Sequence, residues 1–173
     1  MFLGYASAKG RAGIDRALYL PREWVDNQER RIEAGVPETV AFHTKPWLAL
    51  AMIERALDAG VPARWVVGDA VYGSDGKLRR ALEARGQAYA LAVKSTEQPT
   101  TWPPDGPPGH VVVADVAAVL EPEQWQRLSC GDGAQGERLY EWAYVPLRPA
   151  LEDGWLHARV IRRSIADPDE VAY

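Results

Sequence analysis

The stretch Arg64-Trp65-Val66-Val67-Gly68-Asp69-Ala70-Val71-Tyr72-Gly73-Ser74-Asp75 constrains the fold more than any other part of the chain. An apolar β-type run ends on a single carboxylate, Asp69, and Gly73, Ser74 and Asp75 then supply the turn and capping chemistry that opens a helix. Leu78, Ala81 and Leu82 give that helix an inward face, Gly86 stops it, and Tyr89-Ala90-Leu91-Ala92-Val93 reads as another strand. Strand, helix and strand of these lengths predict a right-handed crossover between parallel strands, and so an α/β core. Asp69 then stands at the carboxyl end of a strand, where α/β sheets hold ligands and metals.

Upstream, Phe2 to Ser7 reads as a strand, Ala8-Lys9-Gly10-Arg11 as a turn, and Gly13 to Leu20 as a returning strand stopped by Pro21. Residues 22–45 are polar and turn-rich, with a short helical segment from Asp26 to Ala34 closed by Gly35 and Pro37. Trp24 is a plausible anchor there, and Arg30 and Arg31 are expected to face solvent. Thr44 has the chemistry of an N-cap, Pro46 fits the first turn where its missing N–H is harmless, and Gly60 is a stop. This punctuation predicts a helix of about fifteen residues. Leu50, Ile53, Leu57 and Val61 recur at helical spacing and are expected on its buried side.

From Ser95 onward the character changes. Pro99, Pro103, Pro104, Pro107 and Pro108 fill a loop that no regular element can contain. Beyond it, His110 to Ala114, Arg138 to Pro146 and Trp155 to Arg162 read as short strands, with a helical turn near Glu121 to Arg127 and a Gly-rich loop from Cys130 to Gly136. The chain therefore reads as an α/β part, 1–94, followed by a β-rich part, 95–168.

Composition narrows the classes. With 173 residues, 47% of them hydrophobic, the chain can bury a core, and disordered or fibrous classes do not fit. Its one cysteine, Cys130, leaves no internal disulfide and no cysteine-rich zinc site. No apolar run reaches the length of a membrane span and nothing after Met1 resembles a secretion signal, so a soluble, cytoplasmic protein is expected. The net charge of -4 is uneven: residues 1–94 carry +3 and residues 95–173 carry -7. A mildly basic first part permits a polyanionic partner without requiring one.

Most familiar chemistry is missing. There is no Gly-x-Gly-x-x-Gly after a strand, no Gly-Lys-Ser/Thr phosphate loop and no His-Glu-x-x-His pair. His43, His110 and His157 are scattered singly, with no second ligand at metal spacing. Ser129-Cys130-Gly131 lacks a base and a strand-to-helix elbow, so Cys130 is expected to be inert.

An ordered set of short motifs carries a resemblance. Arg16-Ala17-Leu18-Tyr19-Leu20-Pro21, Trp24, Arg30-Arg31 with Ala34-Gly35-Val36-Pro37, Phe42-x-Thr44-Lys45-Pro46, Ala59-Gly60-Val61-Pro62 and Gly68-Asp69-x-Val71-Tyr72-Gly73 together resemble the DDE-type transposases of bacterial insertion sequences, in the DDE superfamily endonuclease group. The likeness continues through Tyr89 to Val93, the Trp102-Pro103-Pro104 loop and the β-rich part. It implies an RNase H-like mixed sheet with flanking helices, interrupted by a β-rich insertion at 95–168. It also implies three carboxylates holding two Mg²⁺ (or Mn²⁺) ions for DNA cleavage and strand transfer at transposon ends.

Asp69 matches the second acidic residue of that pattern. The first would lie on a strand before Phe2, and the third, a glutamate, on a helix after the β-rich insertion, with 169–173 as a truncated lead into it. Both fall outside residues 1–173. Asp15, Asp75 and Glu54 match no family catalytic position, and Asp75 reads as a helix cap. The expectation is a transposase fragment in which Asp69 is catalytic and metal-binding but inactive alone. The alternative is a non-enzymatic protein- or DNA-binding module on the same fold, with an exposed sheet edge covered by a complementing chain or by self-association.

Overall fold

A computed structural model describes residues 1–98, 100–101, 109–133, 136–147 and 154–173. The chain divides into two compact units, Met1–Leu91 and Ala92–Tyr173. The described residues form a mixed α/β structure with six α-helices and several small sheets. None of these helices is long and apolar enough to cross a membrane.

The first unit opens with an antiparallel hairpin of β1 (Phe2–Ser7) and β2 (Gly10–Arg16). The second strand starts and ends earlier than the Gly13–Leu20 segment expected from the sequence. Gly10 adopts φ 143°, which an L side chain resists, and so returns the chain immediately after Ala8 and Lys9. The helical segment expected from Asp26 to Ala34 is split into α1 (Arg22–Val25) and α2 (Gln28–Glu33), because the side chain of Asn27 accepts from the Arg30 amide at 2.9 Å and restarts the helix.

Helix α3 (Lys45–Asp58) begins as its sequence dictates: Thr44 Oγ1 accepts from the Trp47 amide at 3.3 Å and Pro46 occupies the first turn. Gly60 follows its end with φ 77°. Its buried face is Leu48, Ala49, Met52 and Ile53, with Leu50 and Leu57 packing at the edge, a rotation from the expected Leu50-Ile53-Leu57 line. Strand β3 (Val66–Gly68), the short helix α4 (Ala70–Gly73), helix α5 (Gly76–Ala84) and β4 (Tyr89–Leu91) complete the unit. β3 and β4 are parallel, pairing Val66 with Tyr89, Val67 with Ala90 and Gly68 with Leu91. The core joins α3 to α5 through Ala49, Ile53, Leu78 and Leu82. Leu78 and Leu82, two of the residues expected inward, are fully buried.

In the second unit β5 (Thr100–Thr101) pairs antiparallel with β6 (Gly109–His110), followed by α6 (Val113–Ala118). The strand expected from His110 to Ala114 is therefore mostly helix. Long-range backbone bonds from the amides of Val113 to Glu97 O (3.0 Å) and Ala114 to Ser95 O (3.2 Å) fix its first turn. A 3₁₀ turn at Pro122–Gln124 leads into an antiparallel sheet of β7 (Trp125–Gly133), β8 (Gly136–Pro146), β9 (Ala158–Ser164) and β10 (Val171–Ala172), in the order β10-β9-β8-β7. Cys130 to Gly133, expected in a loop, belongs to β7, whose register shifts between Ser129 and Asp132. Gly131 takes φ 76° in that irregular stretch, which is why a Gly there marks a bulge and not a loop. The expected Pro-rich loop, including Trp102-Pro103-Pro104, lies outside the described residues.

Candidate functional site at the tip of the third strand

Asp69 follows β3 directly, in extended conformation (φ −78°, ψ −177°), and caps α4. Its Oδ1 accepts from the Val71 amide at 2.9 Å, and its carbonyl accepts from the amides of Tyr72 (3.0 Å) and Gly73 (3.2 Å). The carboxylate is exposed at the carboxyl end of a strand paired in parallel.

The turn after it is tight. A Cβ at Gly68 would lie 3.1 Å from Leu91 Cδ2 and 3.1 Å from Tyr72 Cδ2, closer than most real Cβ contacts. Glycine at this position lets the Tyr72 ring pack down against the strand end. The Tyr72 phenol then donates to Met1 Sδ at 3.3 Å. Burial, and secondarily the Asp69 charge, hold this phenol above its ordinary pKa. Gly73 is buried, and its carbonyl accepts from the Arg79 guanidinium. The electrostatic link between Asp69 and Tyr72 was not anticipated from sequence. Its signal was present as Asp69-x-x-Tyr72, since a cap residue and the residue three later share one helical turn.

The other acidic candidates have structural partners. Asp75 Oδ1 accepts from the amides of Lys77 (2.9 Å) and Leu78 (2.8 Å) and caps α5, the role its sequence position implied. Asp15 accepts from the Arg16 amide at 2.7 Å and from Arg55 Nη2 and Nε at 2.8 and 3.0 Å. These bonds, the Arg16 amide first and then Arg55, lower its pKa. Glu54 is half-buried on α3.

Among the described residues, no group of three or more His, Cys, Asp or Glu side chains could hold a metal ion. Two hard divalent cations near a phosphodiester need several anionic oxygens, so the residues present do not fit a two-metal centre. The histidines give no metal site either. His43 stacks on Trp47 with ring centroids 3.7 Å apart, His110 lies in β6, and His157 sits beside Trp155. Cys130 is exposed.

Several motif residues turn out to build the fold. Arg31, expected in solvent, uses Nη2 to donate to the carbonyls of Pro37 (3.0 Å), Glu38 (3.3 Å) and Val40 (2.9 Å), pinning the loop before α3. Arg30 lies over the Trp24 ring, 4.0 Å from its centroid.

The model of a family described as DDE superfamily endonuclease matches residues 1–144. No curated protein and no solved structure matches the chain significantly. That match spans the hairpin, α3, the Asp69 strand tip and most of the second unit, and by it the chain belongs to the DDE superfamily endonucleases, a transposase-like family.

Proposed function

We propose that Asp69 is one metal-binding carboxylate of a DDE-type endonuclease site acting on DNA at transposon ends, and that residues 1–173 do not cleave DNA by themselves. The observation that carries this reading is the isolation of Asp69: it occupies the strand tip where such chemistry is expected, and no described cluster of acidic residues completes it. The remaining carboxylates, and with them the capacity to hold two Mg²⁺ or Mn²⁺ ions, come from polypeptide outside residues 1–173. An antiparallel hairpin followed by a helix and a parallel strand–helix–strand unit supports an RNase H-like core over 1–94. The antiparallel sheet of the second unit supports a β-rich insertion over 95–168, with 169–173 leading back toward the core.

Paramagnetic broadening tests the metal-binding role without requiring activity. Titrating Mn²⁺ into the protein should broaden the amide resonances of Asp69, Ala70 and Val71 first, and Asp69→Ala should remove that selectivity. Uniform broadening, or selective broadening that survives Asp69→Ala, would refute the assignment of Asp69.

A further inference from the structure

In the first unit, β1 pairs only with β2 and β3 only with β4 among the described residues, so each two-stranded sheet has an open edge. A groove of about 530 Å³ is lined by residues of both β1 and β3. Ala49, Met52, Ile53 and Ala56 of α3 also line it. Two side-chain bonds fix the relative direction of its walls. Tyr5, late in β1, donates to Pro62 O, just before β3, at 3.4 Å; Tyr72, just after β3, donates to Met1 Sδ, just before β1, at 3.3 Å. The two strands therefore run antiparallel along opposite sides of the groove.

From this we infer that the groove is an acceptor site for one extended polypeptide strand from a partner, which would join the two small sheets into one. The backbone edges specify the class of occupant. Each presents N–H and C=O groups at the spacing of a β-ladder, and only another extended backbone satisfies a row of such groups. Because the walls are antiparallel, the occupant pairs parallel with one and antiparallel with the other, a mixed arrangement that α/β sheets tolerate. Its charge is specified too: Arg64 is the only charged residue lining the groove, and the exposed side chains along it are apolar, Phe2, Trp65 and Val67 among them. An uncharged, β-branched strand of about five or six residues fits these conditions. Long exposed edges beside apolar side chains are what proteins otherwise blunt with charge or proline, and neither wall does so. The inference rests on the groove alone and is independent of the metal-binding role of Asp69.

The test uses the synthetic peptide acetyl-Lys-Thr-Val-Ile-Val-Thr-Lys-amide and amide hydrogen exchange read by NMR. The peptide should slow exchange about tenfold or more at amides on both walls, within 2–6 and 66–68. The same peptide with proline in place of the central isoleucine, which cannot donate within a ladder, should give no such protection. In the double variant Phe2→Lys/Val67→Lys the protection should disappear, while the Leu82 amide, in the core, reports that the fold is retained. Protection of neither wall or of one alone, or equal protection by the proline peptide, would overturn the inference. Protection of both walls without peptide, rising with protein concentration, would overturn it in favour of a second copy as the occupant.

Discussion

The Tyr72 phenol donates to the Met1 thioether across 3.3 Å, tying the start of the hairpin to the helical turn capped by Asp69. The phenol is held above its ordinary pKa of 10.0 by burial first and by the Asp69 charge second. Asp69→Asn removes the second cause only. The Tyr72 pKa should fall, yet remain above 10.0 because burial persists, as followed by the ¹³Cζ shift of Tyr72 during an NMR titration. A rise, or no change, would show that Asp69 and Tyr72 are not coupled. The linkage has a defined sign. A raised folded-state pKa contributes stability that is intact below the unfolded value and lost as pH rises through the folded one, so Tyr72→Phe should flatten the alkaline loss of stability above pH 10.0.

Asp15 has the opposite sign. Its pKa is lowered by the Arg16 amide and by Arg55, so its contribution is present above the ordinary value of 3.8 and lost as pH falls through the lowered folded value. Thermal unfolding of wild type and Asp15→Asn should differ near neutral pH and converge below 3.8. The difference should be small and shrink in salt, because this ion pair is solvent-facing.

Asp75 separates capping from metal binding. Its carboxylate satisfies two amides at the start of α5, so Asp75→Ala should cost about 1 kcal/mol of stability in urea unfolding. It should leave Mn²⁺ broadening at Asp69 unchanged. Loss of that broadening in Asp75→Ala would make Asp75 a second ligand.

Leu82 is fully buried between α3 and α5, and Leu82→Ala should destabilise the first unit by about 2–5 kcal/mol. Val67, exposed beside it in β3, is the control: Val67→Ala should change stability by no more than about 0.5 kcal/mol. Equal effects in urea unfolding would contradict the burial of Leu82.

What could be read from the sequence was local chemistry. The caps Thr44 and Asp75 follow from a side-chain oxygen two or three residues before amides with no helical partner. The parallel pairing of β3 and β4 follows from a strand–helix–strand spacing that leaves a short chain no other return. What escaped was set by distant partners. The start of α6 depends on backbone bonds to Ser95 and Glu97, which override the β-branched run Val111-Val112-Val113. β7 passes through Gly131 and Gly133 because β8 pairs with it, whereas the glycines alone suggest a loop. Arg31 looked like a solvent residue because its three carbonyl acceptors lie in the following loop. At the candidate site, the position of Asp69 was legible and its tie to Tyr72 and Met1 was not, since Met1 is brought there only by the folded hairpin.

The claim that Asp69 stands as one carboxylate of an incomplete site is tested most directly by incubating the purified chain with supercoiled plasmid DNA in Mg²⁺ or Mn²⁺ and measuring nicked and linear products. The account predicts no metal-dependent product from the wild type and no difference in Asp69→Ala. Robust metal-dependent nicking by the wild type that vanishes in Asp69→Ala would contradict it.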